Sequence, residues 1–272
     1  MKVNIIVTAL AALLLVSCGE YEKLLKSSDY ELKKQKAIEY YEAGKYVKAT
    51  ELFAQVLPRY RASDEAEQLT WLNARAFYEL GDYIMAGTYY ANFSGTYPFS
   101  RYAEESLFMA AYCDYRMSPR PALDQEYTRK AIEGFLLFKR RYPTSDKIAE
   151  ADKVIKEMEE KLVEKSYISA RLYYDMKQYR AATVALNNSL NEYPTTKYRE
   201  EMMYLKLNSH LLYAEYSFRD KQMERYLIAY DEYLSYIEEY PKGAYEKEVK
   251  KIYDSLMKVI NPSDIGIEND NK

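Results

Sequence analysis

Few side chains in this 272-residue chain are equipped for covalent or acid–base chemistry. The single His, His210, sits in an apolar–polar stretch from Met202 to Tyr216. No nucleophile or carboxylate stands at a local spacing that would make it a general base. The Asp and Glu residues recur among Lys and Arg at i, i+4, as in Glu157 and Lys161. That is the pattern of a solvated helix face, not of a catalytic carboxylate pair. One His and two Cys exclude most His- or Cys-based metal sites. Eight Gly, with no G-x-G-x-x-G and no G-x-x-x-x-G-K, leave no loop to cradle a phosphate. No enzyme activity, metal or diffusible cofactor is therefore expected. Lys and Arg number 39 against 42 Asp and Glu, a net charge of −3, so the positive excess that nucleic acid demands is missing. What abounds is Tyr, 32 in all. Aromatic residues interleaved with Arg are the types that dominate binding hot spots, which points to non-covalent recognition.

The exception is Cys18. It follows Met1-Lys2 and an uncharged apolar run from Val3 to Val16. That run is shorter than the ~20 residues of a transmembrane helix and suits the h-region of a secretory leader. Leu15-Val16-Ser17-Cys18 resembles the lipobox of bacterial lipoproteins, with an aliphatic residue, a small residue and then Cys. The resemblance implies removal of 1–17 and acylation of Cys18, with covalent acyl lipid as the only attached group. Gly19, rather than Asp, in the next position implies delivery to the outer membrane. Cys113 is then left without an intrachain disulfide partner and reads as a small buried helix residue.

The elements that must position the aromatics repeat. Tyr-Pro occurs at Tyr97-Pro98, Tyr142-Pro143, Tyr193-Pro194 and Tyr240-Pro241, with Tyr60-Arg61 as a degenerate fifth copy. Eleven residues before each Tyr stands an Ala: Ala49, Ala86, Ala131, Ala182 and Ala229. Aromatic or Leu residues stand seven before it, at Phe53, Tyr90, Phe135, Leu186 and Tyr233. The offsets place these positions on one face of a helix, and Pro ends that helix. Ser100, Ser145 and Thr196, two residues after Pro, read as caps of the next helix. A preceding helix is marked by Ala37, Ala74 and Ala170 and joined through Ala43-Gly44-Lys45, Leu80-Gly81-Asp82 and Met176-Lys177-Gln178. Gly44 and Gly81 suit the left-handed position of a helix end. Copy three is interrupted by Arg116–Pro121 and copy five by Ser217–Gln222. The Tyr-to-Tyr spacings of 37, 45, 51 and 47 exceed the usual ~34, so some helices must be longer, among them one over Ile148–Lys165. Val249, Ile252, Tyr253 and Leu256 predict a closing helix over Tyr245–Ile260.

A small residue and an aromatic on one helix, a tight turn, Ala and an aromatic on the next, then Pro: the unit resembles the tetratricopeptide repeat. The expected fold is all-α, a right-handed superhelical solenoid of five helix pairs plus a C-terminal capping helix. The expected organisation is a leader (1–17), a lipidated linker (18–30), the repeat domain (31–260) and a disordered tail (261–272). Lipobox and five repeats together resemble the BamD family, tetratricopeptide lipoproteins of the machinery that assembles outer-membrane β-barrels. Thr128 to Ala182 carries this resemblance best, through Ala131, Phe135, Phe138, Tyr142-Pro143-Thr144-Ser145, Ala151, Leu162, Lys165, Ala170, Tyr173 and Tyr174. It implies a scaffold lipid-anchored in the outer membrane and facing the periplasm. Its implied partners are the large barrel-forming subunit and unfolded outer-membrane proteins. Other periplasmic tetratricopeptide adaptors, of the cell-division coordinator type, usually carry a coiled coil, and no heptads occur here. SusD-like nutrient-binding lipoproteins share the lipobox but are about twice as long.

In such repeats the first helix of each pair lines the concave face. The residues expected there are Lys34, Ile38 and Tyr41 in copy one, Gln68, Trp71, Arg75 and Tyr78 in copy two, and Tyr167, Arg171 and Tyr174 in copy four. Tyr41, Trp71, Arg75, Tyr78, Arg171 and Tyr174 are the candidate contacts for an extended aromatic peptide or a partner. The alternative is that Trp71 and the tyrosines only pack between helices. The resemblance further implies that the N-terminal half receives substrate and the C-terminal half docks on the barrel subunit.

Overall fold

The computed structural model describes residues 19–61 and 63–261. Cys18, the leader and residues 262–272 lie outside the described residues. Among the described residues every regular element is helical, in line with the all-α expectation. A short α1 (19–26) precedes five pairs: α2 Tyr30–Glu42 with α3 Tyr46–Tyr60, α4 Ala66–Glu79 with α5 Tyr83–Thr96, α6 Ala103–Met117 with α7 Glu126–Arg141, α8 Ile148–Asp175 with α9 Tyr179–Glu192, and α10 Arg199–Glu215 with α11 Arg219–Glu239. α12 Glu246–Leu256 follows.

The ends of these helices follow from single residues. Proline's ring bars the residue before it from the α region. Tyr97, Tyr142, Tyr193 and Tyr240, each preceding Pro, leave the helix with φ between −120° and −129° and ψ of 61–69°. Tyr60 has no Pro after it, and there the helix runs through the Tyr into an α-helical Arg61. At the tight turns Gly44 and Gly81 take φ of 69° and 77°, and Lys177 takes 58° in the same position. Each turn closes with the double bond of a Schellman ending. In the second, Gly81 N–H donates to Tyr78 O and Asp82 N–H to Phe77 O.

Two expectations are corrected. Ser100, Ser145 and Thr196 do not cap their helices. Each hydroxyl accepts from the amide two residues on (Tyr102, Lys147, Tyr198) at 3.1–3.2 Å, and the helix begins after that small turn. The charged helix from Ile148 does not stop at Lys165; it continues through Asp175 and becomes the first helix of pair four, which accounts for the 51-residue spacing. Residues 19–26, in the stretch expected to be a linker with some helical character, form a helix whose Tyr21 is buried with Ala37, Ala49, Leu52 and Phe53.

Two compact units divide the chain. Among the described residues the first holds 19–61, 63–119 and 125–158. Its core is a series of interhelix layers around Phe53, around Tyr90 and Cys113, and around Phe135 and Phe138. The repeated Ala residues (Ala49, Ala86, Ala131) are fully buried because helices meet there. Gly134 marks a close helix–helix contact: a Cβ on it would lie 2.8 Å from Ala111 Cβ. Gly87 approaches Cys113 in the same way, at 3.2 Å. Cys113 is thus a small buried residue, and burial pushes its thiol up to about 12, so no thiolate forms near neutral pH. The second unit holds, among the described residues, 120–124 and 159–261. Its layers centre on Ala182, Leu186 and Met202, and on Leu207, Ala229, Tyr236 and Leu256. Only residues 120–124 of the segment between α6 and α7 belong here, where the Ala122 carbonyl accepts from Lys165 Nζ at 2.8 Å.

Candidate functional site

The first helices of the pairs share a register. Three residues before the small or apolar residue at the helix crossing (Ala37, Ala74, Ala111, Ala170, Leu207) stands Lys34, Trp71, Phe108, Tyr167 or Tyr204. Each reaches the residue that opens the first helix of the next pair or the closing helix. Lys34 Nζ lies 2.8 Å from both carboxylate oxygens of Glu65. The Trp71 and Tyr102 rings stack at 4.2 Å, as do Tyr167 and Tyr198, and Tyr204 and Tyr245 stack at 4.4 Å. Lys147 lies over the Phe108 ring at 5.0 Å. The same position thus locks each repeat to its successor, by an ion pair, by stacked rings or by a cation on a ring. Lys34 is therefore not a free groove residue: it is buried between Glu65 and Glu31. The sequence contained this lock as a recurrent distance from Lys34, Trp71 and Tyr167 to Glu65, Tyr102 and Tyr198. Alignment by Tyr-Pro alone did not expose it.

Two turns beyond the lock position stand Tyr41, Tyr78 and Tyr174. Each faces the Tyr that begins the second helix of its pair, at centroid distances of 5.7 Å (Tyr46), 5.4 Å (Tyr83) and 6.2 Å (Tyr179). These tyrosines clamp the hairpin turns while keeping one edge at the surface. Burial raises the pKa of all three hydroxyls. Tyr78 Oη accepts from Arg116 at 3.4 Å, and Tyr174 Oη accepts from Asn208 at 2.6 Å. Arg75 is close enough to Tyr41 to oppose its rise.

In the first unit the structure brings Trp71, Arg75 and Tyr78 onto one face of α4. The Trp71 ring stacks with Tyr102, and the Arg75 guanidinium lies 4.7 Å from its centroid. Its indole Nε1 is buried without a hydrogen-bond partner. The flanking residues not foreseen from sequence are Tyr102, Glu105, Tyr112 and Arg116, all from α6 or its first turn. Copy three was read only through its second helix, because the interrupting loop shifts the count. In the second unit Arg171 and Tyr174 share α8. Arg171 donates to Tyr167 Oη at 2.7 Å and to Glu201 Oε1 at 2.9 Å. Both faces offer aromatic edges, guanidinium groups and carboxylates without a nucleophile in place, which suits recognition of an extended chain.

His210 is on neither face. It lies 3.9 Å from Glu232, which Lys206 holds at 2.9 Å. Burial, with Lys206 in support, lowers its pKa against the pull of Glu232.

No curated protein matches this chain. Among solved structures, the TPR2AB domain of yeast Sti1 in its pHSP90 complex aligns over 84% of this chain and 98% of its own length, at 14% identity and a TM-score of 0.36. A family model described as YfiO, outer membrane lipoprotein, matches residues 29–224, which covers most of the helix pairs described above. The chain belongs to the YfiO family of outer membrane lipoproteins.

Proposed function

We propose that this protein is a scaffold subunit of the complex that assembles β-barrel proteins in the outer membrane. In this proposal Cys18 carries the acyl chains and the repeats project into the periplasm. More than one acyl chain is needed for firm anchoring, since a single chain binds marginally. The helix pairs then hold two kinds of partner, the large barrel-forming subunit and unfolded outer-membrane proteins, without catalysis or cofactor. The observation that carries the proposal is the family match over 29–224, joined to two faces of aromatic and Arg side chains on the first helices of the pairs. A repeat protein touches each partner through whichever repeats it meets, so separate partners need not share a site.

The test is recovery of the tagged, lipid-bearing protein in mild detergent. Co-isolation of a large outer-membrane barrel subunit is expected. Recovery of a glycan porin instead, or of no membrane protein, overturns the proposal. In parallel, Cys18→Ala is expected to leave the protein unprocessed or soluble. Normal processing with retention in the outer membrane would refute the anchor.

A further inference from the structure

Within the first unit, α5, α6 and α7 meet around a cleft of about 300 Å³. A second cleft, of about 530 Å³, is lined by α6 and α7 and shares Asp114 and Lys130 with the first. Large apolar side chains stand uncovered on both. Ile84 of α5 is 56% exposed, and Leu136 and Leu137 of α7 are 42% and 44% exposed. Exposed apolar surface of this kind marks a place of contact. Ile84, Gly87 and Ala91 recur at i, i+3 and i+7, which makes a low ridge along one face of α5. A ridge beside a groove is the complement of another helix.

Asp114 stands where the two clefts join. Its side chain is half-buried, yet among the described residues it makes no hydrogen bond and no ion pair. The cation that shares both clefts with it, Lys130, is held by Glu126 at 2.6 Å. Burial raises the Asp114 carboxyl pKa against the pull of Lys130. A carboxylate that has lost water without gaining a partner is costly. A Lys or Arg arriving among apolar residues recovers that cost through a charge-assisted hydrogen bond. Glu133 and Arg140 also line the second cleft, but both are exposed and their charges are opposite.

We propose that the clefts joined at Asp114 dock an amphipathic helix of a partner protein, one that carries a Lys or Arg between its apolar residues. This goes beyond the scaffold function proposed above and does not rest on it, since the apolar walls belong to the second helices α5 and α7.

The probe is benzoylphenylalanine, placed at position 84 and separately at position 137 of the full-length protein in intact cells. Peptide mapping of the adducts should show both positions capturing one segment of one partner. That segment should have apolar residues at helical spacing and a Lys or Arg among them. Synthesised as an N-acetylated amide, it should bind the purified protein. Its variant with Gln for the basic residue should bind about ten-fold more weakly, a difference of about 1.4 kcal/mol. Asp114→Asn should weaken the basic peptide by a similar factor and leave the Gln peptide unchanged, the mark of a direct pairing. In the free protein Asp114→Asn should not lower the urea midpoint, because it removes an unpaired charge. A lowered midpoint would give Asp114 a structural role and overturn the proposal. So would the absence of adducts, adducts only with a second copy of this chain, a captured segment without a basic residue, or an equal loss for both peptides.

Discussion

His210 shows how little a residue's type alone says about its role. It is the one side chain whose ordinary pKa lies near neutrality, yet its surroundings remove it from acid–base work. Burial holds the imidazole below its usual value, with Lys206 adding to the effect and Glu232 opposing it. The consequence for stability has a definite sign. In the unfolded chain the ring titrates near ~6.5. With the folded pKa lower, the unfolded state takes up the proton first as pH falls, so stability is full above the unfolded value and declines below it. Urea unfolding at pH 7.5 and pH 5.0 should therefore show a larger acid loss for the native protein than for His210→Gln. The half-buried Asp114, whose carboxyl pKa is raised by burial, titrates in both proteins and cancels in the comparison. Equal acid losses would mean that the ring is as well solvated folded as unfolded.

At the scale of the helix, much of the fold is legible because a few residues carry strong backbone rules. Pro after Tyr97, Tyr142, Tyr193 and Tyr240 fixes four helix ends just before the Tyr, and the copy without Pro keeps Tyr60 within its helix. Gly44 and Gly81 announce their turns; Lys177 adopts the same left-handed conformation without announcing it. The locks between repeats were not legible, because Lys34–Glu65, Trp71–Tyr102 and Phe108–Lys147 fill one position by three different physical interactions. Of the site, residue types and helix faces were readable. The pairing state of Arg75 and Arg171 was not, since both sit in the same register and differ only in what reaches them. The meeting of α6 and α7 also escaped the pattern search, although it is a close packing contact. Because a Cβ on Gly134 would fall 2.8 Å from that of Ala111 and 3.2 Å from its Cα, the backbone itself must yield to any side chain there. Gly134→Val should cost about 1–3 kcal/mol through overpacking, read as a lower urea midpoint with an unchanged slope. Gly95, which has nothing within 4 Å of a built Cβ, is the control; Gly95→Ala should be stabilising by roughly 0.5–1 kcal/mol from helix propensity. A neutral Gly134→Val would show that the two helices part without penalty.

For the molecule as a whole, the two units present different chemistry on equivalent helices. The first carries Trp71 with Arg75 beside it, Tyr78 held by Arg116, and Tyr41. The second carries Arg171 latched to Glu201 and Tyr174 held by Asn208. A surface whose polar groups are already paired suits a lasting protein contact, which needs shape more than new hydrogen bonds. A surface with an unpaired guanidinium suits a ligand that comes and goes and brings its own charge. The family resemblance implies that the first unit receives unfolded barrel proteins and the second docks on the barrel-forming subunit, and we propose that division here. Photo-crosslinking in intact cells distinguishes the two ends directly, with the crosslinker placed at Trp71, Tyr78, Tyr174 and Tyr213 in turn. Tyr213 extends the second set along α10, where Arg225 lies over its ring at 4.1 Å. Positions 71 and 78 should capture barrel proteins still in transit, with yields that rise when their synthesis is induced. Positions 174 and 213 should capture one large membrane subunit at a yield that does not change with substrate load. Capture of the same partners from all four positions would show that the units do not divide the work, and the reverse distribution would exchange their roles.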